Sequence, residues 1–378
     1  MIIQSKRVWV GTQFIEAQVQ IEGSKITDIY PYGSHPVDKD YGSDRIVPGF
    51  IDIHCHGAYG FDTNDANREG LVTWAKGITA EGITGFLPTT VTQSKEVLTN
   101  ALKNVKKVVE EGYDGAQILG VHFEGPYLNV KNKGAQPEQF IVVPSVEEFK
   151  EYQAAAGGLI KVITMATEHD PNHALTKYAS QNGVVVSMGH SGATYAEAMM
   201  GIANGATSMT HVYNGMNGLT HREPNLVGAA MRVRDVYGEI ICDGNHVVWP
   251  AINNYVTAKG RDHAVMITDS LSVKGSKPGK YLLGGNEIEV RENGSAYLVG
   301  TDTLSGSTLK FNIGLKELVE KAELPFDWAI NMVSTNPARL LKLDDHKGKI
   351  ISGYDADIVV LTDDYSVVQT YVLGEEML

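Results

Sequence analysis

The stretch PGFIDIHCHG, residues 48–57, sets two histidines two positions apart at the end of an apolar run. In a β-strand alternate side chains share a face, so His54 and His56 point together while Cys55 points away. Two imidazoles aimed at one point suggest a metal. An HxH pair also arises when one histidine is a hydrogen-bonded core residue and the other is solvated. The Pro-Gly before the run and the Gly-rich segment after it end the strand in a loop that ligands can approach.

Outward from that strand, the chain from Gly49 to about Leu341 alternates short apolar or β-branched runs with amphipathic segments, the pattern of a parallel α/β fold. The runs that read as strands are GFIDIH, TGFLPTT, QILGVHFE, IKVITMAT, VVVSMGH, SMTHV, EIICD and AVMITD. With the segments between them they predict a closed, TIM-like (β/α)8 barrel. The intervening segments read as helices. Leu98, Leu102, Val105 and Val109 share one face, as do Ala196, Met199, Met200 and Ala203, whose methionines are expected in the core. Residues 1–47 and 342–378 carry short strand-like runs broken by Gly, Asp and Ser, and neither end can bury a sheet face alone. They are expected to pair into one small β-sandwich domain, with the catalytic barrel of residues 48–341 inserted between them.

A chain of 378 residues with 43% hydrophobic residues buries a large core. Its net charge of −13 and lack of long basic runs argue against nucleic acid or an anionic membrane as partner. An anionic substrate would therefore need a local basic pocket. The two cysteines, Cys55 and Cys242, are too few for a disulfide framework. The start of the chain lacks a charged region followed by a long apolar segment, and no apolar run approaches the roughly 20 residues needed to span a bilayer. A reduced, cytoplasmic protein is expected.

In a (β/α)8 barrel the C-terminal ends of the strands carry the active site. Strand one ends in His54 and His56, strand three in Glu124, strand five in His190, strand six in His211 and strand eight in Asp269. Imidazoles with carboxylates in this number form a zinc-type donor list, although ferrous iron, cobalt and manganese suit it too. Any one of these residues has an ordinary explanation. All six at strand ends point to a metal site.

The stretches PGFIDIHCHG, VHFEGPYLN, KGAQPEQF, MGHSGATYAEA, THVYNGM, HREPNLVGAA, CDGNHV, ITDS, LSGS, TNPARLLKL and GKIISGYDADIVVL together resemble the amidohydrolase superfamily. Within it, the combination of HFEGP, HVYNGM, REP and DGNH resembles the N-acetylglucosamine 6-phosphate deacetylases. This resemblance implies Glu124, His190 and His211 as the main metal ligands, with His54 and His56 able to hold a second metal that Glu124 bridges, so one or two metals per subunit. It favours Asp269 as the catalytic proton-transfer residue over a helix cap or a plain ligand. It assigns Arg222 and His246 to the phosphate and sugar end of the substrate, and Ala135, Gln136, Asn214 and Gly215 to the sugar. Leu304 and Ser305 match a loop that closes near the acetyl group. Without the resemblance Arg222 reads as a surface salt-bridge arginine and His246 as a turn histidine. His122 shares a face with Glu124 and is expected behind the ligands, and His169, His221 and His263 read as ordinary.

The implied reaction releases acetate from N-acetylglucosamine 6-phosphate, in amino-sugar catabolism and cell-wall recycling, and the implied assembly is a homodimer in which Arg222 serves its own or a neighbour's site. Two rivals stay open at this point. One is an amidohydrolase acting on another amide, dihydroorotase-like or an acylated-amino-acid hydrolase, and the other is a non-catalytic scaffold with the same fold.

Overall fold

The computed structural model describes residues 1–283 and 286–378. The predicted barrel strands all form, in order: Phe50–Cys55, Ile83–Pro88, Gln117–Ile118 continued by Val121–Glu124, Ile160–Met165, Val185–Met188, Ala206–Met209, Gly238–Ile241 and Ala264–Ile267. Strands one to five each pair in parallel with the next, and seven pairs in parallel with eight. Strand six joins strand seven through Met209 N–H to Tyr237 O (3.0 Å) and Val212 N–H to Glu239 O (2.8 Å). Strand eight returns to strand one through Asp269 N–H to His54 O (2.9 Å) and His56 N–H to Ser270 O (2.8 Å), which closes the ring. Strand three breaks at Leu119-Gly120. A Cβ on Gly120 would stand 2.7 Å from Leu159 O, so only glycine lets the chain pass the start of strand four.

Each strand is followed by a helix on the outside of the ring, among them Lys95–Glu111 and Tyr195–Ala203. The first buries Leu98, Leu102 and Val105 as their spacing predicts. The second forms where expected, started by a capping box between Thr194 and Glu197, but it turns another face inward. Ala198 and Gly201 are buried there, while Ala196 is exposed and Met200 is 53% exposed. The reason is steric. A Cβ on Gly201 would lie 2.6 Å from Met188 Sδ and 2.7 Å from Thr167 Oγ1, so this small-residue face seats against the barrel and the longer methionine side chain is left outside.

The two chain ends meet in one eight-stranded sheet. Strand Arg45–Pro48 pairs antiparallel with Ile358–Leu361, and Ile2–Val10 lies beside Arg45–Pro48, so a block of N-terminal strands joins a block of C-terminal strands edge to edge in a single hydrogen-bonded layer. Its own core includes Ile3, Val8, Val19, Ile46, Ile358 and Tyr371. Unanticipated from the sequence is a second small sheet inserted after barrel strand eight, built of Gly279–Leu283, Asn286–Val290 and Ala296–Leu298 in antiparallel order. Its Ile288, Val290 and Ala296 pack on Val91 and Leu271 at the barrel mouth. Among the described residues no helix is long and apolar enough to cross a membrane.

Candidate metal centre and substrate cavity

The six strand-end residues converge as the sequence predicts. Glu124, at the end of strand three, is the hub: its Oε1 lies 3.2 Å from His211 Nε2, 3.3 Å from His190 Nε2 and 3.5 Å from His54 Nε2, and its Oε2 lies 3.3 Å from His56 Nε2. Asp269 Oδ1 faces the same point, 3.1 Å from His56 Nε2 and 3.5 Å from His54 Nε2. All six side chains are nearly or fully buried. His190, His211 and Asp269 have left-handed backbone φ of 46°, 27° and 49°. For non-glycine residues such a conformation costs roughly 1–3 kcal/mol each and marks positions whose geometry the surrounding structure imposes. Here it turns the chain out of each strand at the mouth.

Each imidazole is also held from behind. The Nδ1 of His190 meets Asn132 O at 2.9 Å, that of His211 meets Asn214 O at 3.0 Å, and that of His56 meets Thr89 O at 3.3 Å. A carbonyl oxygen only accepts, so in these rings Nδ1 carries the proton and Nε2 presents its lone pair. His54 is held likewise by the Glu239 carboxylate, whose Oε2 lies 2.9 Å from Nδ1. Four Nε2 lone pairs and the oxygens of two carboxylates thus aim at one small volume. His190 and His211 bring their Nε2 atoms within 3.2 Å of each other, and His54 Nε2 is buried without a hydrogen-bond partner. Converging acceptors with no shared donor are stabilised by a cation, so the donor set fits a divalent metal.

The electrostatics agree. Burial alone would lower the imidazoles of His54 and His56, but Glu124 with Glu239 raises the first well above its ordinary value, and Asp269 with Glu124 pushes the second up to about 10. Burial alone would raise Glu124 and Asp269, yet the histidines hold both below the usual carboxylate range. The site draws positive charge from whatever can supply it.

His122 lies behind the clustered histidines. Its Nδ1 meets Ile53 O at 2.8 Å and its Nε2 meets Thr164 Oγ1 at 2.7 Å, so both ring nitrogens are occupied. Burial, with His54 adding to it, holds this imidazole well below its ordinary value.

A cavity of about 250 Å³ opens over the cluster. Its wall includes His56, Glu124, His190, His211 and Asp269, and also Ala135, Gln136, Asn214, Gly215, His246, Leu304 and Ser305. Asn214 Nδ2 and Ser305 Oγ are buried without partners, and His246 is oriented by Asp243, whose Oδ2 stands 2.7 Å from Nδ1. Leu304 and Ser305 are tied to the inserted sheet by Leu298 N–H to Thr303 O (2.9 Å) and Ser305 N–H to Ala296 O (3.0 Å).

Two expected substrate contacts stand differently. Gln136 lines the cavity, but its Nε2 donates to Glu124 Oε2 at 2.7 Å and its Oε1 accepts from Thr92 N–H at 2.8 Å, so both ends of the amide are engaged. Arg222 is not brought to the cavity of its own chain. It is exposed on the polar loop after strand six, where its backbone N–H meets Thr220 Oγ1 at 3.4 Å, and it is not among the residues that line the cavity.

The sequence did not point to Glu239, to Glu168 or to the apolar wall formed by Val91 and Leu271. Glu168 accepts from Gly192 N–H (2.8 Å), Asn129 Nδ2 (3.2 Å) and Ser191 Oγ (2.8 Å), binding the loops on both sides of His190. The one local signal for Glu239 was an acidic residue inside the otherwise apolar strand Gly238–Ile241.

Residues 45–377 match the amidohydrolase family. The chain is 39% identical to an N-acetylglucosamine-6-phosphate deacetylase of Bacillus subtilis (strain 168), over 87% of this chain and 83% of that one. It is 32% identical to an N-acetylgalactosamine-6-phosphate deacetylase of Escherichia coli O157:H7, over 95% and 94%. Its fold superposes on a mutant N-acetyl-D-glucosamine-6-phosphate deacetylase of Mycobacterium smegmatis in complex with N-acetyl-D-glucosamine-6-phosphate, with a TM-score of 0.95, 29% identity and coverage of 100% and 99%.

Proposed function

The chain belongs to the amidohydrolase family, and on that premise we propose that it hydrolyses the acetamide of N-acetyl-D-glucosamine 6-phosphate to D-glucosamine 6-phosphate and acetate. The observation that carries this reading is the convergence of four Nε2 atoms and two carboxylates under a cavity walled by Asn214, His246 and Ser305.

Glu124, His190 and His211 would hold one metal, and His54 and His56 with Glu124 a second. The chemistry that a divalent cation supplies when bound there is polarisation of a carbonyl and acidification of water. Zinc suits the donors best, with ferrous iron, cobalt and manganese as alternatives. Asp269 is the proton carrier. It takes a proton from the water that attacks the acetyl carbon and delivers it to the sugar nitrogen as the C–N bond breaks, so that an amine leaves and acetate remains. Asn214 brings an unpartnered amide to the sugar, Ser305 with Leu304 brings an unpartnered hydroxyl near the acetyl group, and Ala135 and Gly215 allow close backbone approach. His246, oriented by Asp243, serves the phosphate end. Arg222 does the same in a homodimer, from the exposed loop that its own cavity does not use. The enzyme would act in the cytoplasm, in amino-sugar catabolism and cell-wall recycling.

The test is acetate release from N-acetylglucosamine 6-phosphate, N-acetylgalactosamine 6-phosphate and unphosphorylated N-acetylglucosamine, before and after chelation. Metal-dependent turnover of the first, with little from the third, is expected. Faster turnover of the galactose epimer would reassign the sugar. Metal bound but no acetate from any of the three would move the chain to a different amide.

A further inference from the structure

Glu239 is fully buried on barrel strand seven, and among the described residues its one ion-pair partner is His54. Its Oε2 takes the His54 Nδ1–H at 2.9 Å and lies 3.4 Å from the backbone N of His211, while its Oε1 has no hydrogen-bond partner. A buried carboxylate with one bare oxygen is costly, and no lysine or arginine among the described residues offsets it. Its placement is therefore best explained by what it does to the ring in front of it. The other three clustered histidines are held at Nδ1 by main-chain carbonyls, Thr89 O, Asn132 O and Asn214 O, whereas His54 alone depends on a side chain. His122 does not compete for this role, since both of its nitrogens are engaged elsewhere.

We propose that Glu239 is a positioning residue for the metal centre: it holds His54 in the tautomer and rotation that turn Nε2 into the cluster, and so sets how tightly the His54–His56 side of the site binds a cation. The proposal rests on the metal reading above. Carboxylates that accept from a ligating imidazole in this way typically govern metal affinity by 10–100-fold. Nearby Asp52 accepts from the His54 backbone N–H, at 3.3 Å, and the Nδ1–H of the ring goes to Glu239.

The experiment titrates metal-free wild type, Glu239→Gln and Glu239→Leu with Co(II), reading affinity, stoichiometry and the visible absorption of the ion, with circular dichroism to check the fold. Glutamine keeps an acceptor for Nδ1–H, and leucine does not. The expected result is Co(II) binding weakened about 10–100-fold and an altered spectrum in Glu239→Leu, with Glu239→Gln closer to wild type. Folded Glu239→Leu that binds Co(II) like wild type overturns the proposal, as do equal losses in the two variants. A wild-type chain that binds no divalent metal overturns it together with the metal reading. Tight metal binding without acetate release sinks only the deacetylase reading, and the Glu239 titration then stands by itself.

Discussion

Asp269 Oδ1 lies 3.1 Å from His56 Nε2, joining the last barrel strand to the first at the point where the ring closes. The contact depends on closure: Asp269 N–H bonds to His54 O and His56 N–H to Ser270 O, so the two side chains are fixed by adjacent backbone pairs. A carboxylate placed there reaches both the histidine cluster and the cavity. Asp269→Asn should keep the hydrogen-bonding shape and lose the proton acceptor. Acetate release is expected to fall by about 10²–10⁴-fold with metal content retained, measured by turnover and elemental analysis of one sample. Loss of metal in parallel with activity would make Asp269 a ligand first.

Gln136 bridges Thr92 N–H and Glu124 Oε2, so it holds the hub carboxylate as well as lining the cavity. Gln136→Leu strands a buried N–H and frees one Glu124 oxygen. Stability is expected to drop by about 1–3 kcal/mol, read from the urea midpoint of the metal-loaded protein. An unchanged midpoint would mean that water replaces both contacts.

Lys274 Nζ stands 2.6 Å from Glu81 Oε2, and both side chains are almost fully buried. Glu81 also accepts from Tyr59 OH at 2.6 Å and Phe311 N–H at 2.8 Å, tying the segment after Asp269 to two outer helices. Lys274→Met leaves a buried carboxylate unpaired and should cost about 3–5 kcal/mol, while adding Glu81→Gln should recover much of it. Chemical denaturation of the three proteins checks this, and additive losses would contradict it.

Asp52 is fully buried, and burial raises its carboxyl to about 6 despite hydrogen bonds from Thr268. An acid whose folded value is raised gives stability that is full below the unfolded value of about 3.9 and is lost as pH climbs through the folded one. A shift of this size corresponds to roughly 3 kcal/mol between pH 4 and pH 6. Asp52→Asn should therefore flatten the decline in thermal stability across that window relative to wild type. Parallel melting curves of the two proteins against pH would show that Asp52 ionises without penalty.

Much of the site could be read in the chain because its signals are local. His54 and His56 share a face through the two-residue period of a strand, and Glu124, His190, His211 and Asp269 each end a recognisable apolar run. The Tyr195–Ala203 helix was equally legible, but its inward face was not, because Gly201 seats against Met188 and Thr167 from other units. The inserted sheet escaped notice since its strands have a buried face only where Val91 and Leu271 meet them. Arg222 carries a family motif in the sequence, yet the fold leaves it exposed outside its own cavity.

By itself the sequence determined the donors, their order along the chain and the alternation of strand and helix that forces a barrel, because periodicity and residue chemistry act over a few neighbours. Tertiary structure decided which nitrogen of the imidazoles faces the centre of the cluster. Asn132 lies 58 residues from His190, and Glu239 lies 185 from His54. Only the closed ring brings such acceptors behind the histidines, and a hydrogen bond reaching about 3 Å cannot be read from spacing along an extended chain.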